Sequence, residues 1–158
     1  MALADIVGKR YRYPDCYVVG REKILEYATA VKNEDAPFFS EEAAAELGYD
    51  GLVAPLTFIS VFGYTGQLAF LESAGIAIAD HKIVHVDQEL KFSLPIKAGD
   101  RLYCDVDGHS VRQAHGTDIV VMRTVITNQN GELVQETYTT LAGRSEEDGE
   151  SGFNDGTA

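Results

Sequence analysis

Residues 51–71, GLVAPLTFISVFGYTGQLAFL, form the stretch that decides the fold, because 21 consecutive positions carry no formal charge. A run of that length could span a bilayer. Only 13 of the 21 residues are Ala, Val, Ile, Leu, Phe or Tyr, however, and the flanking Asp50 and Glu72 provide no basic anchors. Pro55 suits the first turn of a helix. The sequence therefore predicts a long helix buried by the rest of its own domain, without membrane insertion.

Downstream of residue 82 the hydrophobic period changes to two, which is typical of strands with one wetter face. The alternation predicts that five side chains share one strand face: Val84, Val86, Gln88, Leu90 and Phe92. Three further strand-like runs cover residues 102–108, 119–127 and 133–142. Helices followed by a run of strands predict an α+β fold, a single domain whose antiparallel sheet wraps around the long helix.

Two shorter helices are predicted ahead of the long one. Ile24, Ala28 and Val31 recur at the spacing of an amphipathic helix. Pro37 ends that helix in a loop, since proline lacks a backbone donor and disfavours helix at the residue before it. Ser40 can cap a second helix that has acidic residues in its first turn.

The charge of the chain excludes one class of partner. Thirteen Lys plus Arg against 25 Asp plus Glu give a net charge of −12, so the surface repels phosphate backbones and nucleic acid is not expected to bind. Residues 144–158 are rich in Ser, Glu, Gly and Asp. We therefore expect an acidic disordered tail after a folded domain of residues 1–143.

The sequence offers no metal or redox motif. Cys16 and Cys104 have no CxxC spacing, and the four histidines lack the spacing of metal ligands: His81, His85, His109 and His115. The first ten residues, MALADIVGKR, contain no hydrophobic secretory segment. We expect a cytoplasmic protein with reduced thiols.

Several motifs together are similar to those of MaoC-type hot-dog domains. They are the loop NEDAPFF (33–39), GYDG (48–51), the helix start APLTF (54–58), AHGT (114–117) and QETYTTL (135–141). The similarity extends over nearly the whole chain, and it is strongest to the subunits of heterodimeric (3R)-hydroxyacyl-ACP dehydratases of mycolic-acid synthesis. It implies a hot-dog fold, in which an antiparallel sheet wraps around a central helix.

The resemblance also reveals a missing catalytic pair. In catalytic members the loop carries an Asp and a His; aligned on Pro37, these positions hold Glu34 and Phe39. Dehydration of a 3-hydroxyacyl thioester needs groups that remove an α-proton and protonate the departing hydroxyl, and phenylalanine does neither. Pro55 and Leu56 stand where the family has a glycine whose N–H faces the thioester carbonyl, and proline has no N–H. The resemblance therefore implies a non-catalytic subunit of a lyase.

A non-catalytic subunit implies a second, catalytic subunit and a carrier that delivers the substrate. A homologous catalytic hot-dog subunit would supply the pair in a heterodimer, and an acyl carrier protein would deliver a long-chain acyl thioester, with no cofactor. Along the long helix, Thr57, Ser60, Tyr64 and Gln67 recur at steps of three, four and three. That polar line could border a thioester path, or it could satisfy backbone groups and face solvent or a subunit joint. The candidate substrate-binding residues are Thr57, Phe58, Ile59, Ser60, Phe62, Tyr64 and Gln88.

A basic cluster near the N-terminus is a candidate docking site for the carrier protein. Lys9, Arg10 and Arg12 alternate with tyrosines and reverse the charge of the chain locally, which suits an acidic carrier. A solvated arm is the alternative.

Two other functions fit the same sequence. A self-sufficient homodimeric hydratase or thioesterase could use Glu34, Asp35 or Asp50 as its acid or base. An acyl-chain binding module would need no catalytic group.

Overall fold

A computed structural model describes residues 3–79, 82–145 and 151–154. The α-helices are α1 (Arg21–Ala30), α2 (Glu41–Glu46) and α3 (Ser60–Ser73), and 3-10 turns cover Leu3–Ile6, Ala36–Phe38 and Leu56–Ile59. The strands are β1 (Arg10–Arg12), β2 (Tyr17–Val18), β3 (Ala77–Ile78), β4 (Ile83–Phe92), β5 (Arg101–Ala114), β6 (Thr117–Thr127), β7 (Leu133–Arg144) and β8 (Phe153–Asn154).

The main sheet is antiparallel and packs around the long helix, as predicted. Its strand order is β1-β5-β6-β7-β4, and β2 also pairs with β5. Helix α3 approaches the sheet closely at Gly66, where a Cβ atom would lie 2.5 Å from the Cys104 Sγ atom of β5. The phenylalanines of the helix are buried against the apolar residues of β5 and β6. The sheet therefore encloses one face of α3, while β4 stands at one edge of the sheet.

The uncharged stretch forms the predicted helix in two parts. Pro55 precedes a 3-10 turn over Leu56–Ile59, which continues directly into α3. Among the described residues, no helix is both long enough and apolar enough to cross a membrane. The Ser40 cap is also confirmed, because its Oγ atom accepts a hydrogen bond from the Ala43 amide at the start of α2.

Strand β5 is longer than its hydrophobic alternation predicts. It continues past Gly108 to Ala114, with an irregular register between Gly108 and Ser110. A Cβ atom on Gly108 would collide with the backbone of Ile6, so the glycine admits the N-terminal segment against the strand. The hairpin then turns at His115 and Gly116, both with positive φ. The outer part of this hairpin is polar, which hid it from a prediction based on apolar residues.

The register of β4 corrects the predicted strand face. A bulge between His85 and Asp87 inserts Val86 as an extra residue, so Val84 pairs with Ala142 while Gln88 pairs with Thr139. Side chains before and after a bulge change faces. Val84 and Val86 are therefore exposed and do not share the face of Gln88, contrary to the prediction.

The C-terminal segment also differs from the prediction. Phe153–Asn154 form β8, which pairs with β3, and the Phe153 side chain is buried in the hydrophobic core. The expected disorder from residue 144 onward is wrong for Arg144, which ends β7, and for Phe153 and Asn154. Burial of one aromatic ring stabilises the otherwise polar segment around β8 by about 1.5–3 kcal/mol. Residues 146–150 and 155–158 lie outside the described part of the chain, and so does His81.

Candidate functional site

A cavity of about 480 Å³ lies between the start of the long helix and the inner face of the sheet; it is called the first cavity below. Its helical wall carries all four residues of the polar line together with Ile59 and Gly63. The hydroxyl groups nearest the helix start are linked, because Tyr27 OH lies 2.8 Å from Thr57 Oγ1 and 3.3 Å from Ser60 Oγ. Ser60 Oγ also donates to the Thr57 carbonyl at 2.9 Å. The hydroxyl groups of Thr57 and Ser60 therefore have local hydrogen-bond partners, which was one of the two alternatives drawn from the sequence. They also line the cavity, which was the other.

The floor of the first cavity is a hydrogen-bond network in which Gln67, Thr124 and Thr139 are buried and Gln88 is exposed. Gln67 Nε2 donates to Thr139 Oγ1 at 2.9 Å and to Thr124 Oγ1 at 3.2 Å. The Thr139 hydroxyl in turn donates to Gln88 Oε1 at 3.1 Å. Because buried polar groups need partners, this network holds the helix in register with β6, β7 and β4. Gln88 therefore lines the cavity and has its partner within the sheet.

His85 is a cavity residue that sequence reasoning missed. The bulge at Val86 places it on the same wall as Gln88 and Leu90. His85 Nε2 lies 3.0 Å from the Asp87 carbonyl oxygen, which can only accept, so Nε2–H is the donor. The sheet wall of the first cavity also contains Leu141 and three threonines, Thr124, Thr137 and Thr139. Each lies within an ordinary alternating strand, so only the strand register shows that its side chain faces the cavity.

Two predicted substrate-binding residues belong to the core instead. Phe58 and Phe62 are 1% and 4% exposed, and neither lines the first cavity. The Phe62 ring stacks on Tyr17 with centroids 5.4 Å apart, and Phe58 meets Tyr27 edge-on at 5.5 Å. Phe58 and Phe62 pack this way because the helical repeat places them on the side of the helix start that faces away from the polar line. Thr57, Ile59, Ser60, Tyr64 and Gln88 do line the cavity.

The loop that would carry a catalytic pair lies apart from the first cavity. Glu34 and Phe39 are exposed and line neither this cavity nor the second one described below. The described lining of the first cavity contains His85 and no carboxylate, so it holds no carboxylate–histidine pair of its own.

Asp50, an alternative acid or base, is an exposed partner of Lys97. The Lys97 ammonium donates to Asp50 Oδ1 at 2.6 Å, and this hydrogen bond lowers the pKa of the Asp50 carboxyl. A carboxylate of lowered pKa is a weaker proton acceptor at neutral pH. The geometry gives Asp50 a surface ion pair and no place in either cavity.

A second cavity of about 490 Å³ lies beside the loop. It is bounded by the 3-10 turn Ala36–Phe38, residues 53–56 and residues 92–96, with Gln135 of β7 as a polar residue in an otherwise largely apolar wall. Asp35 is the charged residue among the described lining. Sequence reasoning did not predict this cavity.

The basic cluster is exposed, and part of its charge is neutralised. Lys9, Arg10 and Arg12 are all exposed, and β1 pairs with β5. The Arg12 guanidinium lies 2.9 Å from the Asp105 carboxylate and also covers the Tyr103 ring. Among the described residues, no group of three or more His, Cys, Asp or Glu could hold a metal ion.

An antiparallel sheet around one long helix, with a cavity at the start of that helix, defines a hot-dog domain of the MaoC-like class. Within that class, the chain belongs to the FAS1-like dehydratase family, because the model of the family "FAS1-like, dehydratase domain region" matches residues 5–137. A UPF0336 protein of Mycobacterium tuberculosis H37Rv is 66% identical over 159 residues, covering 100% of both chains.

Two solved structures are similar at both sequence and fold level. The crystal structure of the C-terminally truncated HadBC complex, a 3R-hydroxyacyl-ACP dehydratase from Mycobacterium tuberculosis, contains a chain 51% identical to this one. The TM-score is 0.81, and the match covers 88% of this chain and 98% of that chain. A MaoC-like dehydratase is 35% identical with a TM-score of 0.82, covering 92% of this chain and 44% of that one.

Proposed function

We propose that this chain is the non-catalytic, substrate-holding subunit of a heterodimeric (3R)-3-hydroxyacyl-ACP dehydratase in type II fatty-acid elongation, of the mycolic-acid kind. The observation that carries the proposal is an acyl-sized cavity without a carboxylate–histidine pair. The first cavity has a polar wall and apolar neighbours, while Glu34 and Phe39 lie outside it. The cavity can therefore hold a substrate, and the proton-transfer groups must come from elsewhere.

The similarity to a chain of the HadBC complex supports this role. That complex is a 3R-hydroxyacyl-ACP dehydratase of Mycobacterium tuberculosis, and the two chains align over nearly their full length. A shared fold does not by itself establish function, so the role is also argued from the residues of this chain's own site.

The chemistry of the first cavity suits an acyl thioester. Hydroxyl groups of Thr57, Ser60 and Tyr64 can hydrogen-bond the polar head of the substrate, while Ile59 and Leu90 provide apolar wall for its chain. Each methylene group buried there contributes about 0.8 kcal/mol. This chain then binds and orients the substrate, and the partner removes the α-proton and protonates the leaving hydroxyl.

The edge strand β4 is the proposed joint with the catalytic subunit. It ends the sheet, and most of its side chains are exposed, including Val84 and Val86. An unpaired edge favours pairing with the edge of a second sheet. Since His85 and Gln88 lie on β4 and line the first cavity, a partner joined there would reach the bound substrate.

Delivery by an acyl carrier protein is proposed for the exposed cluster Lys9, Arg10 and Arg12. Arg12 already has a carboxylate partner, so long-range attraction of an acidic carrier would affect mainly its association rate. A cytoplasmic location stays a prediction from the sequence.

A self-sufficient hydratase is the second candidate, and one observation favours it: His85 lines the first cavity. An imidazole could act alone as a general base. It would have no carboxylate among the described lining residues to orient it.

The test compares the chain alone with the chain co-expressed with a homologous catalytic hot-dog subunit. Hydration of a trans-2-enoyl thioester is measured for both preparations. We expect activity from the complex and none above background from the lone chain. Strong activity of the lone chain, abolished by His85→Ala, would establish the second candidate.

A further inference from the structure

The wall that β7 contributes to the first cavity ends at a glycine. Its lining residues occupy alternate positions up to Leu141, and the next residue on that face is Gly143, which has no side chain. Gly143 pairs with Ile83, which lines the cavity at the first position of β4. The group that fills the space beside Gly143 therefore closes this end of the cavity.

This closed end lies opposite the start of the long helix. The helix start is near the other end of β4, since the Ala54 amide donates to the Ile96 carbonyl at 2.8 Å and β4 ends at Phe92. The end of the helix leads into β3, which pairs with β8 beside Ile83. The hydroxyl groups proposed to bind the thioester head stand at the helix start, so the acyl chain runs from there toward Ile83.

The C-terminal strap, defined as residues 151–154, fills the space beside Gly143. A Cβ atom on Gly143 would lie 2.6 Å from the Ile83 Cδ1 atom and 3.1 Å from the Phe153 ring. A Cβ atom on Gly152 would lie 2.8 Å from the same Cδ1 atom and 3.0 Å from the Gly143 Cα atom. The two glycines therefore admit the strap and the Ile83 side chain where a side chain of β7 would otherwise stand.

The strap is fixed by hydrogen bonds and by one buried ring. The Gly152 amide donates to the Arg144 carbonyl, and the Ala79 amide donates to the Gly152 carbonyl, both at 3.0 Å. Phe153 is 7% exposed and belongs to the hydrophobic core. Displacement of the strap would expose this ring to water, which is unfavourable. Ile83 is therefore supported from behind by a fixed surface.

We infer that Ile83 determines the length of the acyl chain that the first cavity accepts, and that the C-terminal strap positions Ile83. The inference rests on the proposed function, which places an acyl thioester in this cavity. Each methylene group added to the chain buries more apolar surface until the chain meets Ile83, so affinity rises about fourfold per group over that range. A longer chain finds no further room and gains no affinity.

The test measures the binding of saturated acyl-pantetheine thioesters, from octanoyl to icosanoyl, by calorimetry on the lone chain and on the heterodimer. Affinity is expected to rise with chain length up to a break. Ile83→Ala shortens the side chain at the closed end, so the break is expected to move by about two carbons toward longer chains. Ile83→Phe is expected to move it toward shorter chains. An unchanged break in both variants would overturn the inference.

The matched control is Leu133→Ala. Leu133 is exposed at the opposite end of β7 and is not among the described lining of either cavity, so its replacement should leave the break in place. A break that moves equally in Leu133→Ala and Ile83→Ala would mean that general loosening of the sheet sets chain length, and the inference would be wrong.

A second pair of variants tests the strap. Phe153→Ala removes the buried ring, and the break is expected to move toward longer chains, while Phe153→Leu keeps an apolar anchor and should keep the parent profile. The free energy of unfolding is measured in parallel. A merely structural role of Phe153 would lower stability without moving the break, and that result would overturn the positioning role of the strap.

Activity separates this inference from the proposed function. A heterodimer that lacks dehydratase activity but binds the thioesters with a break set by Ile83 would refute the proposed function and support the inference. An active heterodimer whose break is the same in the parent and in Ile83→Ala would do the reverse. Failure of every thioester in the series to bind would overturn the inference.

Discussion

The Gln67 side-chain amide donates a 2.9 Å hydrogen bond to the Thr139 hydroxyl, which joins the central helix to β7 beneath the first cavity. Both residues are buried, at 5% and 2% exposure. The same amide nitrogen also reaches Thr124 on β6. One side chain thus sets the position of the helix over two strands, and the shape of the cavity depends on it.

Replacement of Gln67 tests this network. We expect Gln67→Leu to lower the free energy of unfolding by about 1–3 kcal/mol, because the hydroxyls of Thr124 and Thr139 lose a buried partner. Urea unfolding followed by circular dichroism measures the change. Thr139 keeps its hydrogen bond to Gln88, so the double variant Gln67→Leu with Thr124→Val removes the other hydroxyl that loses its bond to Gln67 and should recover part of the loss. An unchanged midpoint in Gln67→Leu would contradict the network.

Gly66 is required for the close approach of α3 to β5. Gly66→Ala would place a Cβ atom 2.5 Å from Cys104 Sγ, and the strain is expected to cost about 1–3 kcal/mol of stability. Gly63→Ala on the same helix is the control, since its Cβ would lie 4.0 Å from Ile59 and alanine favours helix. Thermal unfolding should separate the two variants. Recovery of Gly66→Ala by Cys104→Ala would identify the contact responsible.

Obstruction of the first cavity should impair substrate binding in the heterodimer. We expect Ser60→Phe to raise KM for a long-chain enoyl thioester at least tenfold, because the ring occupies the cavity wall. Ser73→Phe, at the exposed far end of α3, is the matched control and should leave KM unchanged. Steady-state kinetics of the complex provides the measurement, and equal KM values for both variants would exclude the cavity as the substrate path.

The ion pair between Arg123 and Glu136 predicts a pH dependence of stability. Their Nε and Oε1 atoms lie 3.0 Å apart, and this hydrogen bond holds the pKa of the Glu136 carboxyl below the usual 4.5. A carboxyl whose pKa is lowered on folding stabilises the protein above pH 4.5, and the contribution disappears as the pH falls through the lowered pKa. We therefore expect Glu136→Gln to be destabilised at pH 6 and to approach the parent chain as the pH falls below 4.5, as measured by urea unfolding. A difference that grows on acidification would contradict the assignment.

The two cysteines should differ in reactivity. Burial raises the pKa of the Cys104 thiol to about 12, while Cys16 is partly exposed. Because the thiolate is the nucleophile, iodoacetamide at pH 8 should modify Cys16 and spare Cys104 until the chain unfolds. Mass spectrometry with and without urea reports the modification, and rapid labelling of Cys104 in the native protein would show that the core opens.

Several site residues could be found from the sequence because they lie within one helix. The polar line Thr57, Ser60, Tyr64 and Gln67 follows from helical spacing alone, and all four residues line the first cavity. The same spacing could not tell which neighbouring apolar residues faced the cavity. Phe58 packs on Tyr17 and Tyr27, and these contacts exist only after the N-terminal segments fold over the helix.

The sequence by itself determined the fold class, the long uncharged helix and the main strands, because each depends on local periodicity. The absence of a catalytic pair from the loop stays a prediction from the family resemblance. The tertiary structure decided which strand faces meet the helix. The bulge at Val86 reverses the side-chain alternation of β4 and brings His85 to the first cavity, and Gln135 lines the second cavity only because β7 packs beside the loop. A shift of one residue in a strand exchanges its two faces, and only long-range pairing sets that register.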